Sequence, residues 1–120
     1  PPFFDSTKFY MANWIRLWFC GWDVKKFKNE PLKYIDEKQK TDFTVYEKIF
    51  CQAKERMKKN GVFVMHLGKS EKCDMANILK TIARPWFKKS EIFSENVSHC
   101  EKFGIADLGS VTDHEYLILQ

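Results

Sequence analysis

Glycine, proline and cysteine are all scarce here: five, four and four residues in a chain of 120. No G-x-G occurs, so no segment offers a glycine-rich phosphate loop, and no G-x-S-x-G supports a serine nucleophile on a strand-to-helix elbow. Cys20, Cys51, Cys73 and Cys100 are widely spaced and form no C-x-x-C pair. His99, Cys100 and His114 match no standard zinc spacing, so no metal is expected. No apolar run approaches the ~18 to 20 residues that cross a bilayer, and the opening Pro1-Pro2-Phe3-Phe4 has no basic leader of a secretory signal. The expectation is a cytoplasmic protein without a membrane partner, its thiols reduced. Repeats and low-complexity segments are also absent.

What remains is a chain 44% hydrophobic and 16% aromatic, with a net charge of +4 from 20 basic and 16 acidic residues. A chain of this size buries roughly two-thirds of its unfolded surface, enough for one core and one domain over residues 1–120. The mild positive charge permits a polyanionic partner without requiring one.

Along the chain, residues 1–5 read as a stiff loop, because proline fixes its own backbone angle. Ser6 is placed to cap a helix running to Cys20, with Tyr10, Trp14, Leu17 and Trp18 on one face and Gly21 as its stop. Trp14, Trp18 and Trp22 read as core and rim packing rather than a base-binding surface, since large aromatics on a helical face usually bury. Residues 22–41 read as a loop with one short helix. Thr41 or Asp42 caps the clearest helix, whose stripe is Tyr46, Ile49, Phe50, Ala53 and Met57, ending at Asn60-Gly61. Val62 to Leu67 is a short, nearly continuous apolar run and reads as a strand buried on both faces. Gly68-Lys69-Ser70 reads as a loop. Asp74 caps a third helix with Met75, Ile78, Leu79 and Ile82 inward, ending near Pro85. Ile92–Val97 and Glu115–Leu119 read as two further strands. A strand buried on both faces implies the α/β class, with helices on both sides of a sheet and an antiparallel strand pair at the C-terminus. An α/β fold wants an earlier strand than any seen here, so the sequence reads as the second part of a domain.

Pro1-Pro2-Phe3, ahead of this helix–strand–helix–strand–strand series, resembles the Asp/Asn/Ser-Pro-Pro-aromatic motif of the amino-group methyltransferases that use S-adenosylmethionine. Lys59-Asn60-Gly61-Val62-Phe63-Val64-Met65 is similar to the family's segment of Lys-x-Gly-Gly and apolar strand. Asn60 stands in for the first glycine and tolerates positive φ. Asp113-His114-Glu115-Tyr116-Leu117-Ile118-Leu119 looks like the family's closing strand. The resemblance covers nearly the whole chain in order and looks closest to site-specific DNA methyltransferases. It implies a partial, Rossmann-like methyltransferase domain, the base-side half. The glycine-rich cofactor loop would lie in a missing N-terminal half or a partner chain.

The same resemblance implies the chemistry and its residues. An exocyclic amine of adenine or cytosine is a poor nucleophile because its lone pair is delocalised into the ring. The Pro1 carbonyl accepts a hydrogen bond from that amine, Pro2 stiffens the acceptor, and Phe3 stacks on a base taken out of the duplex. Phe4 packs below Phe3. The best phosphate candidates are Lys25, Lys26 and Lys28; a solvated face is the default for Lys54, Lys58, Lys59, Lys88 and Lys89. His66 and Gly68, at the C-terminal end of the apolar strand, are candidates for the rim of the ligand crevice. Two other readings stay open. One is a half-domain that binds nucleic acid or protein without catalysis; the other is a methyltransferase for RNA or for protein amides.

Overall fold

Short helices without a shared hydrogen-bond ladder open the chain. The computed structural model describes residues 4, 9–96, 101–102, 105–106 and 111–120. Helices α1 (Phe9–Ala12), α2 (Trp14–Phe19), α3 (Val24–Asn29) and α4 (Ile35–Lys38) have four to six residues each. Helices this short do not hold by propensity alone and depend on caps and tertiary contacts. Asp23 caps α3 by accepting from the Lys26 backbone N–H at 2.8 Å. The expected single helix to Cys20 is broken at Asn13, although Gly21 ends it as anticipated, with φ at 81°. Residues 22–41 hold more helix than the one short segment expected.

From Asp42 onward the elements follow the sequence pattern more closely, although the helix expected to end at Asn60-Gly61 stops at Arg56. The Asp42 carboxylate accepts from the Thr44 N–H at 2.8 Å and starts a 3-10 turn, which runs directly into α5 (Glu47–Arg56). The stripe expected on this helix is the face that packs: Tyr46 and Phe50 are fully buried, with Ile49, Ala53 and Met57 against the same core. Asp74 caps α6 (Met75–Ala83), accepting from the Asn77 N–H at 3.0 Å. Met75 and Leu79 on α6 have no exposed surface. Each such side chain contributes roughly 1.5–3 kcal/mol by leaving water.

The sheet is curled, antiparallel and four-stranded. Strands β1 (Phe63–Ser70), β2 (Cys73–Asp74), β3 (Ser90–Asn96) and β6 (Val111–Leu119) lie in the order β2–β1–β6–β3. Two short strands, β4 (Glu101–Lys102) and β5 (Ile105–Ala106), pair only with each other. The C-terminal strand pairs antiparallel in the sheet of the apolar strand, as expected, with Met65 opposite Leu117 and Ile92 opposite Leu117 from the other side. Strand β1 also runs through Gly68, Lys69 and Ser70, which the sequence assigns to a loop.

Two expectations need correction. Helices on both faces are not found among the described residues: α5 and α6 share the core with Met65, Leu67, Leu117 and Leu119. On the opposite face Val64 is 53% exposed and Phe93 63% exposed. An apolar run permits two covered faces but cannot supply the second cover. The tryptophan stripe is also not core packing, since Trp14 is 54% and Trp18 59% exposed.

A column of rings links the N-terminal side to the sheet. Phe4 stacks on Phe43 at 5.9 Å, followed by Tyr46, Phe50, Phe87 and Phe63, each 6.2–6.4 Å from the last. Inside it the Tyr46 hydroxyl donates to the buried Gln39 Oε1 at 2.7 Å. Burial pushes the Tyr46 phenol up to about 12.

Candidate functional site

The C-terminal end of β1 gathers the unusual polar groups. The chain leaves β1 at Ser70, turns over Glu71 and Lys72, pairs back as β2 and enters α6 at once. Strand β6 passes beside this corner, with Glu115 opposite Leu67 and Asp113 opposite Lys69. Pairing slips between Lys69 and Ser70, so Ser70 meets Val111 and Thr112 is the extra residue. The Thr112 hydroxyl donates to the Asp113 carboxylate at 2.8 Å and lies 3.3 Å from the Lys69 carbonyl. Bulges of this sort re-aim side chains at sheet rims and next to sites.

On the core side, Glu115 is only 3% exposed. The Lys69 ammonium stands 3.4 Å from Asp74 and 3.9 Å from Glu115. Among the described residues Glu115 Oε2 and Ser70 Oγ are buried without a hydrogen-bond partner. Burial, with the Asp74 charge beside it, pushes the Glu115 carboxyl up; Lys69 and the Ala76 N–H at the start of α6 pull the other way. A buried carboxyl raised in this way is suited to holding and passing a proton.

On the uncovered side the same strand end carries rings. His66 stacks on Tyr116 at 4.9 Å and meets His114 edge-on at 4.8 Å, while Phe93 adjoins Tyr116 at 6.3 Å. Desolvation, then the His114 charge, pushes the His66 imidazole down, against the pull of Glu95. A neutral imidazole and a phenol ring beside each other offer flat, polar-edged surface.

The candidates read from the sequence fall into three places. Pro1, Pro2 and Phe3 lie outside the described residues. Phe4 is half-buried on Phe43 and packs against the core. His66 is exposed on the uncovered side of β1, whereas Gly68, opposite His114, is buried and so is not an open rim position. Lys25, Lys26 and Lys28 stand together on exposed α3, where the Lys26 ammonium donates to the Gly21 carbonyl at 3.1 Å. The sequence reading missed Glu115, Lys69 and Ser70 as site groups. Glu115 was detectable, because it keeps step with the inward Leu117 and Leu119 at the two-residue period of a strand.

Among the described residues no helix is long and apolar enough to cross a membrane. Comparison with family models, with curated proteins and with solved structures finds no match.

Proposed function

We propose that this chain is the base-side half of an S-adenosylmethionine-dependent methyltransferase that acts on an exocyclic amine of adenine or cytosine in DNA, in the cytoplasm. The observation that carries the reading is an order: Pro1-Pro2-Phe3, helix α5, Asn60-Gly61, the apolar strand β1, helix α6, and a C-terminal strand set antiparallel beside β1. One feature supports a Rossmann-like half-domain in particular. The edge of β1 away from β6 is paired only at Lys69 and Ser70, which leaves Phe63–Gly68 open to a further strand.

The residues present do not fit the cofactor. No glycine-rich turn precedes a helix, and the start of α6, the best-formed helix N-terminus, is occupied by the Asp74 carboxylate with Glu115 beside it. An acidic pair there disfavours a carboxylate ligand. The glycine loop is therefore assigned to a further segment or a partner chain. This chain's contribution is to the base: the Pro1 carbonyl as acceptor for an amine proton, Pro2 holding it rigid, and Phe3 as stacking platform. Methyl transfer is a displacement that needs alignment more than acid–base help, so rigid placement is the useful property.

The test is radiolabelled methyl transfer to DNA by the complete gene product, with Phe3→Ala and Phe3→Trp variants. Losing ~1–3 kcal/mol of stacking lowers transfer by roughly ten- to a hundredfold in Phe3→Ala, with little change in Tm, while Phe3→Trp keeps most activity. Normal transfer per folded molecule in Phe3→Ala, or no transfer to DNA by the unsubstituted product, overturns the reading. Transfer to RNA or to protein in place of DNA reassigns the substrate.

A further inference from the structure

Helices α1, α2 and α3 expose the side chains that a folded chain normally hides. Neither α2 nor α3 has a buried residue. Met11, Trp14, Ile15, Trp18, Phe19 and Val24 are all more than half exposed. Apolar surface of this extent on a water-facing side marks a binding region. It is shaped as well as apolar. Tyr10, Met11, Trp14, Val24 and Phe27 line an open groove of about 540 Å³, with Lys28 in its lining. That size lies within the roughly 300–1,000 Å³ of small-ligand sites.

Among the described residues the groove's lining carries one charged side chain, Lys28. The Asp23 carboxylate is engaged in capping α3, and Glu30 is held by Lys33 at 2.8 Å. The Lys25 and Lys28 ammonium groups make no hydrogen bond or ion pair among the described residues. A membrane surface is the weaker fit, because lipid binding uses one continuous amphipathic helix with a convex apolar face. Here three pieces of four to six residues surround a concavity. A concave aromatic slot with the Lys28 ammonium in its lining, and Lys25 on the same helix, matches a flat ring joined to a phosphate.

We propose that this groove binds an unpaired nucleotide of single-stranded nucleic acid, the base against Trp14, Tyr10 and Phe27 and the backbone phosphate at Lys28 and Lys25. The inference rests on the nucleic-acid part of the function proposed above but not on methyl transfer. It gives that function a second contact with nucleic acid.

The experiment is fluorescence anisotropy of the full chain with a labelled oligothymidylate of about a dozen nucleotides, and with a duplex of the same length. The expected result is preference for the single strand and affinity that falls as salt rises from about 50 to about 200 mM. Trp14→Ala and Lys28→Glu should each weaken binding roughly tenfold, and Trp14→Phe should retain most of it. Both side chains point to solvent, so unchanged far-UV circular dichroism and Tm are expected in every variant. No binding, unchanged affinity in Trp14→Ala, or loss in Lys28→Glu alone overturns the proposal, the last because it leaves only a charge contact. Trp14-dependent binding to phosphatidylserine vesicles without oligonucleotide binding overturns it in favour of a lipid surface; a Trp14-dependent dimer does so in favour of a second copy. Binding intact without methyl transfer would sink the enzymatic reading alone, and transfer to DNA without groove binding would sink the groove alone.

Discussion

Single side chains separate the parts of this molecule that are built to hold from those built to meet something. Tyr46 and Gln39 are both fully buried and hydrogen-bonded to each other. Glu115 is almost as buried, yet one carboxylate oxygen has no partner among the described residues. Keeping such a group costs stability, and the cost has a pH signature. Because the folded carboxyl is raised above the ordinary glutamate value of 4.5, the folded protein retains a proton that the unfolded chain has lost. The associated stability is fully present below that value and is lost as pH rises through the folded pKa. Thermal unfolding of the parent protein and Glu115→Gln from acid to neutral pH isolates the effect. The parent should lose Tm relative to the variant as pH rises. A pH-independent difference would show that Glu115 titrates as an ordinary glutamate. His66 has the opposite bias for a base: desolvation and His114 disfavour its charged form.

At the scale of elements, the second half was well specified by pattern. The stripe of α5, the Asp74 cap and the inward face of α6 each follow from spacing and a capping residue, and the observed elements use those same residues. Such local signals carry measurable energy. Asp74→Ala removes the acceptor of the Asn77 N–H and should cost about 1 kcal/mol in denaturant unfolding. Leu79→Ala, in the fully buried face of the same helix, should cost about 2–5 kcal/mol. Equal costs would mean that α6 is held by its end and not by its packing. The first half was less legible. Trp14, Leu17 and Trp18 have helical spacing, but the spacing says only that they share a face, not that anything lies on it. The break at Asn13 and the exposure of both tryptophans come from how α1–α3 sit relative to the rest. The run from Gly68 to Ser70 departs from its pattern for a related reason: a glycine and two polar residues suggest a loop, but pairing with His114, Asp113 and Val111 supplies the ladder that keeps them in β1.

For the molecule as a whole, the sheet has one finished side. α5 and α6 complete the core on that side, while Val64, His66 and Phe93 stand uncovered and most of the outer edge of β1 is unpaired among the described residues. This is the arrangement expected if a second half supplies the missing cover together with the cofactor loop. Calorimetry on the 120-residue chain should then detect no micromolar binding of S-adenosylmethionine. Micromolar binding by the chain alone would place the cofactor site within these residues and remove the need for a second half.

Among the described residues from Asp42 onward, the sequence by itself determined what short-range rules reach: the Asp42 and Asp74 caps, the helical stripes, and the apolar strand with its C-terminal partner. It also supplied the Pro1-Pro2-Phe3 resemblance on which the enzymatic proposal depends. Only the tertiary structure decided which face of β1 is covered, which tryptophans meet water, and that Lys69, Ser70, Asp74 and Glu115 converge at one corner. The physical reason is that periodicity is a property of a segment, whereas cover and convergence are relations between segments. Burial on a second face needs a partner surface, and nothing in an apolar run states whether that surface is there.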